Sequence, residues 1–147
     1  MLSGANTYSG NTLVNSGVLK VTNSSALGDT VGTTTVTSNA SLVLGNNVNI
    51  TGETIGISGG GTNFTGALQA DAGANATFAG TLNIDGGGTR VGAGSGGTLT
   101  LSGVIQNGAA GNTIIISNAP NAAIPGVVVI SGTANTYTGS TQILRGI

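Results

Sequence analysis

The sequence predicts an all-β chain whose short strands wind into stacked coils, a β-solenoid. Three observations carry this. A phrase of apolar, any, apolar, small polar or acidic residue, then glycine recurs along the chain. No segment shows a convincing helical period, because glycine interrupts nearly every window and Ser, Thr, Asn and Val are mediocre helix formers. The inventory also lacks bulk for a thick core. Aromatics are 3% of residues, there are 28 glycines, and Phe64 and Phe78 are the only phenylalanines.

The phrase reads VNITG at 48–52, IGISG at 55–59, LNIDG at 82–86, LTLSG at 99–103 and VVISG at 128–132, with LVLG at 42–45 a shortened form. Side chains at i and i+2 share one face of a strand, so the paired apolar residues point into a core and the residue between them points to solvent. Glycine then permits a tight corner, including positive φ at little steric cost. The predicted inward set is Val14, Leu19, Val21, Val36, Leu42, Leu44, Val48, Ile50, Ile55, Ile57, Leu68, Phe78, Leu82, Ile84, Val91, Leu99, Leu101, Ile114, Ile116, Val128, Ile130 and Ile143.

Short strands between Gly, Asn and Ser turns fit either a sandwich or a solenoid. Sandwich hairpins favour Asn-Gly and Asp-Gly turns. These occur at Asp85-Gly86 and Asn107-Gly108, but most corners are of another kind and their spacing is uneven. Coils stacked along one axis suit the strands better. The expectation is about six coils with uncapped ends, a rod of about 30 Å at the ~4.8 Å spacing of paired strands. One segment, 118–126 (NAPNAAIPG), breaks the pattern and holds both prolines, Pro120 and Pro125. Proline cannot donate to a sheet ladder, so this segment is expected to protrude as a loop between coils.

At 147 residues the chain is expected to form one solenoid segment over 1–147. Charged residues are only 5%, against a usual share of about 25%. Disorder goes with low hydrophobicity and high net charge, whereas here mean hydropathy is +0.31 and net charge is −1. Lys20, Arg90 and Arg145 are too dispersed to form the basic patch that nucleic acid or anionic lipid would require. Without cysteine there are no disulfides and no thiolate metal sites. No apolar run is long enough to span a membrane, so no membrane insertion is expected of this segment. No basic and apolar leader is present either.

A motif recurs at the two ends. Residues 2–28 read LSGANTYSGNTLVNSGVLKVTNSSALG and residues 130–147 read ISGTANTYTGSTQILRGI. Both contain Ala-Asn-Thr-Tyr-Ser/Thr-Gly, at Ala5 to Gly10 and at Ala134 to Gly139. Such recurrence is the mark of a repeat architecture. The first copy resembles the passenger-associated repeat of bacterial autotransporters, whose pattern runs G-x-N-T-Y-T-G-G-T-T-V-N-x-G-x-L-x-V and ends in A-L-G. Gly4, Asn6, Thr7, Tyr8, Gly10, Thr12, Val14, Asn15, Gly17, Leu19, Val21, Ala26, Leu27 and Gly28 match it, while Ser9 and Asn11 depart from it.

The resemblance implies a right-handed parallel β-helix, in agreement with the reading of the residues. It also implies export, a place outside the cell or on the bacterial surface, and a repeat associated with passenger transport and folding. Met1 directly precedes Leu2-Ser3-Gly4, a phrase seen again as Ile130-Ser131-Gly132. The chain therefore reads as an internal slice of a longer protein, a stalk, adhesin or fibre. Open coil edges would allow head-to-tail self-association, and a host or surface ligand is a further expected partner.

Chemistry has little material. With no His or Cys, the usual bases and thiol nucleophiles are missing. The carboxylates are Asp29, Glu53, Asp71 and Asp85. A paired-carboxylate glycosidase site would need two of them to converge, and β-helix polysaccharide enzymes, which use Asp clusters with Arg or Lys in a groove, single out Asp71, Asp85 and Arg90. Aspartate is also a favoured turn former, and that simpler reading is adopted: no catalytic, cofactor or metal residue, and no cofactor, is predicted. GAGSGG at 92–97 has dinucleotide-loop spacing, but a strand rather than a helix follows it. Gly59-Gly60-Gly61-Thr62 lacks the lysine of a phosphate loop. Four acidic residues cannot supply the repeated aspartate of a calcium solenoid.

Thr-x-Thr pairs occur at Thr33/Thr35, Thr35/Thr37, Thr98/Thr100 and Thr136/Thr138. Such pairs suggest an ice-binding face but are missing from most predicted coils. Sequons at Asn23, Asn39, Asn49, Asn63 and Asn75 match the number expected by chance. Tyr8 and Tyr137 are expected to cap a corner, and Asn6 and Asn135 to bond within their turns. The function expected is a non-catalytic structural segment. The alternatives are a polysaccharide-binding or -degrading β-helix protein and an ice-binding solenoid.

Overall fold

The chain runs repeatedly through three parallel sheets. In this computed structural model, residues 1–108, 112–119 and 123–145 are described. The first sheet contains β1 (Thr12–Val14), β3 (Thr33–Val36), β6 (Thr54–Ile57), β9 (Thr81–Ile84) and β12 (Val104–Asn107). The second contains β2 (Gly17–Val21), β4 (Ala40–Leu44), β7 (Leu68–Ala70), β10 (Thr89–Ala93), β13 (Ile114–Ser117) and β15 (Thr141–Arg145). The third contains β5 (Asn49–Ile50), β8 (Asn75–Phe78), β11 (Thr98–Leu101) and β14 (Val127–Ile130). The sheets are visited in this fixed order, except that among the described residues no third-sheet strand lies between β2 and β3 and no first-sheet strand between β14 and β15. No pair between these strands is antiparallel. That settles the choice between sandwich and solenoid.

Ladders of like residues run along the axis and build the core. Leu19, Leu42, Leu68, Val91, Ile116 and Ile143 succeed one another in the second sheet at intervals of 23 to 27 residues. Ile55, Leu82 and Ile105 form such a ladder in the first, and Ile50, Phe78, Leu101 and Ile130 in the third, at intervals of 23 to 29 residues. All of the predicted inward residues except Leu19, Val128, Ile130 and Ile143 are buried, most at 0–2% exposure, and Leu19, Val128 and Ile130 pack half-buried against them. Each buried Leu, Ile or Val side chain contributes about 1.5–3 kcal/mol, so a thin core of many aliphatic rungs offsets the scarcity of aromatics.

Two expectations need correction. The second-sheet ladder closes about five turns between Leu19 and Ile143, not six coils. The glycine phrase does mark a strand and its corner, and more than one can fall within a turn: VNITG and IGISG lie on β5 and β6, consecutive faces of the coil. Ile143 continues the inward ladder in register with Ile116 but is 70% exposed rather than buried, because it lies on the edge strand of its sheet.

The corner glycines also act differently from expectation. Gly52 and Gly59 do adopt positive φ, at 74° and 66°. Gly80, Gly103 and Gly132 instead stack in a column where coil backbones nearly touch. A Cβ on Gly132 would collide with the Gly103 carbonyl oxygen, and one on Gly103 with that of Gly80.

Strict alternation fails on the second sheet, where β4 and β13 are buried on both faces. A short 3-10 turn, Thr62–Phe64, lies across its outer side. Ser41 Oγ donates to the Gly66 carbonyl at 2.8 Å and accepts from Thr62 N at 2.8 Å. Thr62 Oγ1 donates to the Gly17 carbonyl, and Ser117 Oγ to that of Phe64 at 3.2 Å. The turn thus ties β2, β4 and β13 together from outside, with Asn63 and Phe64 held at positive φ. Of the expected loop at 118–126, Pro120 to Ala122 lie outside the described residues. Its described part is anchored: Asn118 is buried, accepts from Ala93 N at 2.9 Å and donates to the Gly126 carbonyl. Among the described residues, no helix is long and apolar enough to cross a membrane.

Candidate functional site

The outer face of the third sheet forms a shallow groove of about 330 Å³, lined by Asn47, Val48, Asn49, Asn75, Ala76, Thr77, Thr98 and Thr100. The residues that alternate with the core pair build it. Asn49, Thr77 and Thr100 form one column, capped by Val129. Asn75 and Thr98 form the other, capped by Val127. Asn47 extends this second column, since its N–H donates to the Asn75 carbonyl at 2.8 Å. The buried Val48 and Ala76 lie between the columns as a floor.

The rim is held from the neighbouring coils. Asn75 N donates to Asn46 Oδ1 at 3.0 Å, and Asn49 N donates to Ser24 Oγ at 3.0 Å. Asn47 takes φ 59° in the turn, a left-handed conformation that asparagine tolerates. The six polar side chains of the groove make no side-chain hydrogen bond with any described residue. On the first sheet some polar side chains pair, as Gln106 does with Asn83 at 2.9 Å and Asn107 with Thr138 at 2.8 Å. No charged residue lines the groove.

The carboxylates lie elsewhere and apart. Asp71, just beyond β7, pairs with Lys20 on β2 across the intervening β4, where Val43 is buried. The hydrogen bond from Lys20 holds the Asp71 carboxyl below the usual aspartate range. Asp85 follows β9, and its carboxylate fills the space that a Cβ at Gly56 or Gly108 would occupy. Burial pushes it above the usual range, with no contribution from Asp71. Arg90 turns the other way, donating to Ser117 Oγ at 3.2 Å with its guanidinium 5.0 Å from the Phe64 ring centre. Asp71, Asp85 and Arg90 therefore do not converge. Glu53 is only 4% exposed, and its carboxyl is pushed up by burial and then by the nearby charge of Asp29. Among the described residues, no group of three or more His, Cys, Asp or Glu could hold a metal ion.

The groove residues carried only faint sequence signals. Thr98 and Thr100 stood out as a Thr-x-Thr pair, and Asn49 and Asn75 as sequons. The useful signal was their position as the residue flanking or separating each inward pair. Seeing that they share one face requires the register between coils.

The recurring motif keeps one local geometry in two settings. Tyr8 and Thr12 hydroxyls lie 2.8 Å apart, and those of Tyr137 and Thr141 lie 2.7 Å apart. Asn135 bonds within its turn, donating to the Gly132 carbonyl at 2.9 Å, and also accepts from Ile105 N on the neighbouring coil. Asn6 makes only the cross-coil type of contact, donating to the Ala26 carbonyl at 2.7 Å. The copies enter the solenoid one face apart. Thr12–Val14 lies in the first sheet, whereas Thr141–Arg145 lies in the second.

No curated protein and no solved structure matches the chain. Residues 1–21 and 125–147 both match the family model described as passenger-associated-transport-repeat, so the motif shared by the two ends is a repeat of the autotransporter passenger type.

Proposed function

We propose that this chain is a non-catalytic structural segment of a secreted or surface-exposed passenger, a stiff stalk that spaces or presents other parts of a longer protein. The observation that carries this reading is the conjunction of the passenger repeat with a core made of in-register aliphatic ladders. Each coil contacts chiefly its neighbours, so coils can add one upon another as the chain emerges on the far side of a membrane. The dispersed carboxylates favour this reading over a glycosidase, which needs two of them facing one bond. Self-association of the isolated chain belongs to the same proposal, since β15 offers an exposed edge with Ile143 and Leu144 at 70% and 53% exposure.

Export tests the proposal. The chain would be fused between a secretory leader and an autotransporter barrel, and intact cells treated with protease. The expected result is surface-accessible, folded chain. Retention inside the cell, with a barrel that exports a control passenger normally, would contradict it.

A further inference from the structure

We propose that the groove on the third sheet binds a neutral, linear polysaccharide lying along the solenoid axis, through Asn47, Asn49, Asn75, Thr77, Thr98 and Thr100. This goes beyond the scaffold reading and does not depend on it. The six side chains face outward together and, among the described residues, have no hydrogen-bond partner for their side chains. Each asparagine offers an NH₂ donor and a carbonyl acceptor, and each threonine hydroxyl can do either. A surface that both donates and accepts at every rung matches sugar hydroxyls, which do the same.

Charge selects among polymers. The groove carries no charge, and none of the three cations of the chain lines it. Lys20 is paired with Asp71, Arg90 is engaged by Phe64 and Ser117, and Arg145 lies on β15. An anionic polysaccharide or nucleic acid would lose hydration without gaining a counter-charge. A neutral glycan meets no such penalty.

Geometry sets the direction. Polar groups repeat up each column at the strand spacing of about 4.8 Å, and the columns stand two residues apart, about 6.6 to 6.8 Å. The rung spacing is comparable to the length of one sugar ring in an extended chain, so successive rings can meet successive coils. Between the columns the strand backbone at Val48 and Ala76 forms the floor, since both side chains are buried in the core. The side chains stand on paired strands with a pinned rim, so little ordering is required on binding. An ice lattice is a poorer match. Asparagine replaces threonine in three of the six positions, and Val127 and Val129 end both columns.

The test is an NMR titration of the ¹⁵N-labelled 147-residue chain with cellohexaose, laminarihexaose and maltohexaose, with hexagalacturonate as the anionic control. The expected result is that at least one neutral hexasaccharide at millimolar concentration shifts the amides of residues 47–49, 75–77 and 98–100, while hexagalacturonate does not. Thr77→Val with Thr100→Val removes two hydroxyls while keeping shape and strand preference, and should weaken binding about tenfold or more. Asn49→Ala, in the same column on an earlier coil, provides a second variant and should also weaken it. No shift with any of the three sugars, equal shifts with hexagalacturonate, or shifts that map elsewhere would each overturn the proposal. So would unchanged affinity in both variants, or inhibition of ice recrystallisation without sugar binding.

Discussion

Tyr8 Oη and Thr12 Oγ1 lie 2.8 Å apart, four residues from one another, and close the first corner of the solenoid. Tyr137 and Thr141 reproduce the contact in a different sheet setting. The motif is therefore a local unit that fixes a corner whichever face follows it. Tyr8→Phe should cost about 0.5–1.5 kcal/mol, near the lower end because the pair is exposed. Tyr8→Ala should cost more, since the ring also packs against Gly28. Urea unfolding of both variants would check the order.

The glycine column predicts a sharp positional contrast. Gly103→Ala places a methyl group against the Gly80 carbonyl, where only backbone can yield, and should destabilise by about 1–3 kcal/mol. Gly87 has nothing within 4 Å of an added Cβ. Gly87→Ala should change stability by no more than about 0.5 kcal/mol. Equal losses at both positions would mean that the coils do not approach as closely as described.

Two carboxylates give opposite pH slopes. Glu53 is raised above its ordinary value of 4.5, so the folded state holds its proton to higher pH than the unfolded state does. Its contribution to stability is most favourable below about pH 4.5 and falls as pH rises through the raised value. Asp71 is lowered from 3.8, so its stabilisation is complete above that value and is lost as pH falls through the lowered one. Glu53→Gln should remove the higher window and raise stability at neutral pH relative to the parent chain. Asp71→Asn should remove the lower one. Unfolding free energies from about pH 2 to 8 would show both changes.

Exposure of Ile143 and Leu144 predicts concentration-dependent association of the isolated chain. Sedimentation velocity should show elongated oligomers growing with concentration. Ile143→Lys should suppress them, because an edge lysine opposes strand addition. A monomer across the whole concentration range would count against edge pairing.

Much of the core was legible because its period is local. Leu99 and Leu101, or Ile55 and Ile57, announce a shared face two residues apart, and all four are buried. What lay beyond reach depended on register between coils. Ser41, Arg90 and Ser117 meet the Thr62–Phe64 turn only because 23 to 26 residues separate successive strands of the second sheet there. The groove has the same origin, since Asn49, Thr77 and Thr100 become neighbours only once their strands stack. The number of turns, about five rather than six, likewise emerges only from the register between coils.

The register of the stacked coils is the most direct test. The chain has no cysteine, so spin labels can be placed singly. Leu13, Thr35, Gly56, Asn83 and Gln106 are successive outward rungs of the first sheet. A pair at Leu13→Cys and Thr35→Cys should show backbones one strand spacing apart, about 4.8 Å, and a pair at Leu13→Cys and Gln106→Cys four spacings, about 19 Å. Electron paramagnetic resonance distances that grow in this way, after allowance for the label arms, are the predicted result. A Leu13–Gln106 distance as short as the Leu13–Thr35 one, or one far beyond four spacings, would contradict the solenoid.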